Sequence, residues 1–108
     1  MGYLYEAFEN GLSQPYRFIS DSEALQTACR AVGVFASPYS SQMERQMIMY
    51  DAGRNVGAIR DSNAAYTVKN ILIRCAQLRD GEAISLSRDE KAFIKAAIEG
   101  TLYKPFYE

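Results

Sequence analysis

Histidine and tryptophan are absent from this 108-residue chain, and it has only two cysteines and three prolines. Without histidine there is no usual general base near neutral pH and no imidazole for a transition metal. A Ser-His-Asp or Cys-His nucleophile cannot be assembled. Zinc would have to rest on the isolated Cys29 and Cys75 with carboxylates, which is no recognisable site. Glycine-rich phosphate loops are missing too. Of the paired carboxylates, Asp89-Glu90 sits in the opening turn of a helical pattern, where negative charge suits the helix dipole. Asp80-Gly81-Glu82 is too short for a calcium loop. No apolar run approaches the roughly 18 residues that span a bilayer, and the first residues lack the basic-then-apolar layout of a signal peptide. The expectation is a protein that is not an enzyme, takes no cofactor or metal and enters no membrane.

What is present describes a helical protein. Hydrophobic residues make up 48% and charged residues 23% of the chain, ordinary values for one folded domain over residues 1–108. Both cysteines fall in apolar helical stripes, where a reduced thiol behaves as a small hydrophobe and suits the cytoplasm. Gly2 to Phe8 reads as a short helix stopped by Asn10-Gly11. Leu12 to Ile19, with Pro15, reads as a connector. Ser20 and Glu23 form a capping box for a helix that places Leu25, Ala28, Cys29 and Val32 on one face and stops at Gly33. Ser37-Pro38 looks like the start of a helix running to about Arg60. Asp61-Ser62 offers a new cap for Ala64 to Arg79, with Val68, Ile71, Leu72, Cys75 and Leu78 on one side. Ser87 and Glu90 cap a last helix, Arg88 to Glu99, closed by Gly100. Tyr16 to Ile19 and Ala83 to Leu86 are the only β-like runs, and neither has a hairpin partner. The fold expected is all-α: a compact bundle of four to five helices with a long central helix and aromatic-rich termini.

The Pro38 to Arg60 segment has more apolar surface than one core face requires. Met43, Met47 and Tyr50 form one stripe; Ile48, Ala52, Val56 and Ile59 form another. Two stripes imply a helix packed on both sides or shared with a second subunit. Gly53 and Gly57 cost roughly 1 kcal/mol each in a helix interior relative to alanine, tolerable where another helix crosses closely. Eight of the thirteen aromatics lie toward the ends: Tyr3, Tyr5, Phe8, Tyr16, Phe18, Tyr103, Phe106 and Tyr107. They either dock on the body or anchor a partner, tyrosine being favoured at interface hot spots.

The net charge of −1 argues against a general polyanion binder. It is unevenly spread: the middle of the chain, Arg30 to Arg79, is basic and both flanks are acidic. The bland reading is that the ends fold over the central helices. The alternative is nucleic-acid binding by Arg45, Arg54, Arg60 and Arg74, three of which (Arg45, Arg60 and Arg74) would share a face of one straight helix.

A capped helix ending Ala31-Val32-Gly33-Val34 leads through Pro38 to an arginine-bearing helix pair. Ala76 and Asp80-Gly81 then precede a final helix with Ala92-Phe93. This layout, from Asp21 to Glu99, resembles the helical C-terminal regions of large bacteriophage internal virion proteins. The longer, more polar connecting helices of those regions are missing, and the resemblance carries over no functional residue. It implies a phage-derived interaction domain. Together these observations lead us to expect a non-catalytic protein-binding module, self-associating, working as a small phage or bacterial accessory protein on a host or virion protein. Its location would be the host cytoplasm or the virion. The expected interface is Met43, Met47, Ile48 and Tyr50 with the terminal Tyr103, Phe106 and Tyr107. A small molecule between the helices is a further possibility, since such pockets are lined by core-like residues.

Overall fold

Short polar side chains start four of the five helices. In the computed structural model, which describes residues 2–102, these are α1 (Tyr3–Leu12), α2 (Asp21–Val34), α3 (Gln42–Ala58), α4 (Ser62–Ala76) and α5 (Arg88–Glu99). Ser20, Ser41 and Ser87 each accept a hydrogen bond from the backbone N–H three residues on, and Asp61 accepts from Asn63 and Ala64. Each bond satisfies an N–H that the first helical turn leaves without a partner. At Ser87 the box is complete, because Glu90 reaches back to the Ser87 N–H. Gly100 ends α5 in the left-handed conformation, φ +74°. Among the described residues there is no strand, and the chain is all-α.

Helix α3 lies between α1 and α2, and α4 touches all three; α5 packs on α2. The result is a slab with Cα extents of 44 × 30 × 18 Å. The core is formed by Leu4 and Phe8 of α1, Leu25, Cys29 and Val32 of α2, Phe35, Met49 and Val56, and Val68, Ile71, Leu72 and Cys75 of α4. At roughly 1.5–3 kcal/mol per buried large side chain, these residues supply most of the driving force for folding. Ile94 and Ala97 attach α5, helped by Gln26, whose side-chain amide donates to the Ile98 carbonyl at 2.7 Å. An ion pair between Arg74 and Glu90 ties α5 to α4.

Several local expectations are corrected. Gly11 does not stop α1; it lies inside the helix, buried where α1 meets α3 at Gly53. A Cβ on Gly11 would stand 2.1 Å from the Tyr50 carbonyl oxygen, and one on Gly53 2.3 Å from that of Phe8. The two backbones approach so closely that only hydrogen fits. Helix α2 runs one residue past Gly33, and α4 ends at Ala76, short of Arg79. Helix α3 begins at Gln42 instead of Pro38, because Ser41 and not Ser37 caps it. Residues 37–40 form a turn in which the Ser37 hydroxyl accepts from the Tyr39 N–H at 3.2 Å.

That turn is held by Arg45. Only 1% exposed, its guanidinium donates to the Ser40 hydroxyl at 2.7 Å and to the Ser37 and Glu82 carbonyls at 2.9 Å each. It also lies over the Phe35 ring, 5.1 Å from the centroid. Ile84 N–H donates to the Phe35 carbonyl at 2.7 Å. One buried cation thus joins the α2–α3 turn to the α4–α5 connector, and hydrogen bonds to neutral acceptors compensate its desolvation. The expected assignment of Arg45 to a nucleic-acid surface is therefore overturned.

Candidate interface on the outer face of α3

With α1, α2 and α4 on three sides, α3 has one side left. The helical repeat brings Met43, Met47, Asp51 and Arg54 to it. The two halves of this side are treated differently. Over the C-terminal half the α1–α2 connector folds down: the Tyr16 N–H donates to the Arg54 carbonyl at 3.1 Å, and the Tyr16 hydroxyl donates to Asp51. The Arg54 guanidinium lies 4.0 Å from the Tyr16 ring centroid and donates to the Gln14 carbonyl at 2.8 Å. The bond to Asp51, with some burial, raises the Tyr16 pKa above its usual value. Asn55, buried, donates to the Asp51 carbonyl at 2.9 Å and to its carboxylate at 3.3 Å.

The N-terminal half is bare. Met43 is 74% and Met47 68% exposed. Met47 is a ridge between two open grooves. One, of about 390 Å³, runs between α1 and α3 past Ala7, Asn10, Gln46 and Tyr50. The other, of about 380 Å³, runs between α2 and α3 past Thr27, Arg30, Ala31, Val34, Ile48 and Asp51. The second groove shares lining residues with two further hollows. Thr27 and Asp51 also line a hollow beside Tyr16, Arg17 and Ile19, and Val34 also lines one beside Tyr39 and Glu44. Hollows thus follow one another along α2; Tyr39, 92% exposed, borders the one beside Val34 and Glu44, and Phe18 is fully exposed in the α1–α2 connector.

Of the residues expected at an interface, Met43 and Met47 are exposed together. Ile48 and Tyr50 are half-buried against the core and form the groove walls on either side. Tyr50 also donates its hydroxyl to the Gln14 side chain at 2.9 Å. Tyr103, Phe106 and Tyr107 lie outside the described residues. The fully buried Met49 belongs to neither expected stripe. Tyr39 was marked by no local pattern, and Phe18 only as one of the aromatics clustered toward the ends.

The four arginines of the nucleic-acid reading are not brought together. Arg45 is internal, Arg54 is committed to Gln14 and Tyr16, and Arg74 to Glu90 and the Ser85 carbonyl. The break between α3 and α4 ends the single straight helix on which Arg45, Arg60 and Arg74 would have aligned. Arg60 is exposed, while its backbone N–H is held by Asp21. Burial pushes the thiols of Cys29 and Cys75 up to about 12. Among the described residues no group of three or more acidic, cysteine or histidine residues is placed to hold a metal. No described helix is long and apolar enough to cross a membrane. No family model, curated protein or solved structure matches the chain.

Proposed function

We propose that this chain is a non-catalytic protein-binding module that self-associates through the outer face of α3. The observation behind the proposal is the exposure of Met43 and Met47 on a helix whose other three sides are packed. Single exposed hydrophobes are ordinary on protein surfaces. Here two methionines at i and i+4 share a face with apolar grooves on both sides, and a contiguous patch of this kind marks an interaction site. Unbranched thioether side chains also adapt to a partner's contours. The resemblance to helical regions of phage virion proteins gives the proposal its setting, a small accessory protein that occupies a host or virion protein.

The test is the mass in solution. Light scattering at high micromolar concentration should give at least twice the 12.1 kDa of one chain. Met47→Asp should give a folded monomer, since the side chain leaves no cavity behind it. Ile48→Asp should damage folding, because Ile48 packs against the core. A wild-type monomer under these conditions would defeat the proposal.

A further inference from the structure

The described chain stops at Leu102, and where it stops decides what residues 103–108 reach. Helix α5 runs against α2: the Ile98 carbonyl faces Gln26, and Gly100 and Leu102 line a crevice with Ser22 and Leu25. Left-handed Gly100 ends α5, and the Thr101 N–H donates back to the Ala96 carbonyl at 2.9 Å. Such a C-cap turns the chain out of the helix direction. Leu102 therefore delivers the chain to the first turn of α2, beside Ser22 and next to Glu23.

The residues that follow are Tyr103, Lys104, Pro105, Phe106, Tyr107 and Glu108. Proline pushes the residue before it into the extended region, and along an extended chain alternate residues share one side. That side carries Lys104, Phe106 and Glu108: a cation, a ring and an anion, with the charges roughly 12–14 Å apart. The outer line of α2 carries the complementary row. Glu23 and Arg30 are two helical turns apart and so lie in line, separated by roughly 10 Å along the axis. Both are exposed, and neither side chain makes a hydrogen bond or ion pair among the described residues. Beside that line the α2–α3 groove opens at Thr27 and Ala31, with Met47 and Ile48 as its far wall. We infer that residues 103–108 lie back along α2 of the same chain, with Lys104 at Glu23, the Phe106 ring in the α2–α3 groove and Glu108 at Arg30.

Reach and lining select this groove. Lys104 is two residues beyond Leu102 and Phe106 four, roughly 7 and 13–14 Å of extended chain. The α1–α3 groove lies a further helix away, at the roughly 8–10 Å spacing of packed helices. The hollow beside Tyr16 is nearer, but Arg17, Glu23, Asp51 and Asn55 line it, and they offer a phenyl ring little apolar surface. An enclosed cavity of roughly 150 Å³ accepts benzene, so an open groove of about 380 Å³ has room for the ring. Thioether and guanidinium groups, here Met47 and Arg30, both make favourable contacts with aromatic rings. A tether this short also holds the ring at a local concentration of about millimolar, so a contact too weak between separate molecules still forms. The inference does not rest on self-association. It leaves Met43, the crown of Met47 and the α1–α3 groove for that interface, with the α2–α3 groove already filled.

The experiment uses the full chain with isotope-labelled alanine and methionine methyl groups, read by NMR at several dilutions, with light scattering on the same samples. A ring lying over a methyl group displaces its signal upfield. Phe106→Leu should therefore move the Ala31 and Met47 methyl signals downfield and leave Ala7, which lines the α1–α3 groove, unmoved. Arg30→Glu should shrink the same displacement, and Arg30→Glu combined with Glu108→Lys should restore it. Both charge variants alter exposed or undescribed positions, so they read the contact even where Phe106→Leu fails to fold. Each effect should be the same at every dilution, whatever mass is measured. Ala31 and Met47 signals indifferent to Phe106→Leu, or Ala7 moving in place of Ala31, would overturn the inference. So would a charge swap that restores nothing. A displacement that fades on dilution would also overturn it, since the ring then comes from another copy. Self-association is judged by the mass alone, so the two readings fail separately.

Discussion

Replacing Gly53 by alanine sets two effects of opposite sign against each other. In a helix interior alanine is favoured over glycine by about 0.8–1.0 kcal/mol. At Gly53, however, the added Cβ would stand 2.3 Å from the Phe8 carbonyl oxygen, 2.9 Å from the Leu12 nitrogen and 3.0 Å from the Gly11 Cα. All three atoms are backbone, so no rotamer change relieves the contact. Reaching ordinary separation requires α1 to move away from α3 by about 1 Å, which loosens Leu4 and Phe8 in the core. Overpacking costs about 1–3 kcal/mol where side chains can adjust, and the upper end applies where only whole helices can. After the alanine gain, Gly53→Ala should lose about 2 kcal/mol or more. Gly33→Ala is the control, because it also lies within a helix and has no atom within 4 Å of the added Cβ. It should gain up to about 0.8 kcal/mol, less if its place near the helix end dilutes the effect. Urea denaturation followed by far-UV circular dichroism reads both, and the slope should stay constant. Two chemically identical substitutions should therefore differ by about 3 kcal/mol, a large share of the roughly 5–15 kcal/mol that a domain of this size possesses. Should the two variants agree within about 0.5 kcal/mol, a typical resolution for independent surface sites, α1 and α3 do not cross as described.

Three further outcomes are expected. Arg45→Met should lose about 3 kcal/mol, because it strands the Ser37 and Glu82 carbonyls that the buried guanidinium satisfies. Arg45→Lys should recover little, since a compact ammonium does not reproduce the fork; stability within 1 kcal/mol of wild type for Arg45→Met would refute this reading in chemical denaturation. Arg74 and the Ser87 N–H hold the Glu90 carboxyl below its ordinary range, so its contribution is present above the unfolded carboxyl value and disappears as the pH falls through the lower folded value. Glu90→Gln should therefore cost under about 1 kcal/mol near neutral pH, as Arg74 is 41% exposed and its partnership screened, and nothing in strong acid; a deficit that persists in acid would contradict the linkage. Cys29 and Cys75, buried and pushed up to about 12, should react with a thiol reagent at pH 8 only as fast as the protein unfolds, and rapid labelling of either in the native state would show that it is reachable.

Helix identity was legible because the caps are local chemistry. Ser20, Asp61 and Ser87 marked three starts correctly, and Gly100 marked an end. The start of α3 was misread although its signal was present. Ser41 and Glu44 have the same capping-box spacing as Ser87 and Glu90, but Ser37-Pro38 offered an earlier start. What decides between them is Arg45, which needs the 37–40 carbonyl and hydroxyl groups outside the helix, and that need is tertiary. Gly11 was misread for a related reason. A glycine after asparagine is a common helix stop, and only the presence of Gly53 opposite reveals that its missing Cβ admits another helix.

The site divides in the same way. Periodicity alone found the bare methionines, since Met43 and Met47 lie on one line of the helix regardless of what surrounds it. It could not rank them against the fully buried Met49, which lies in line with Arg45, Ala52 and Val56; the arginine there kept Met49 out of the apolar stripe drawn through Ile48, Ala52, Val56 and Ile59. Phe18 stood out only as one of the aromatics clustered toward the ends; its exposure and left-handed backbone are properties of the connector that no local pattern gives. The arrangement also bears on why the outer face exists in this form. The fold covers the polar half of that face, at Asp51 and Arg54, with its own Tyr16 and leaves the apolar half open. Desolvation alone favours the opposite choice in a solitary molecule, where lysine or glutamine at positions 43 and 47 would cost the core nothing and keep the helix intact. Methionine at both exposed positions is the apolar surface that the proposed self-association would bury.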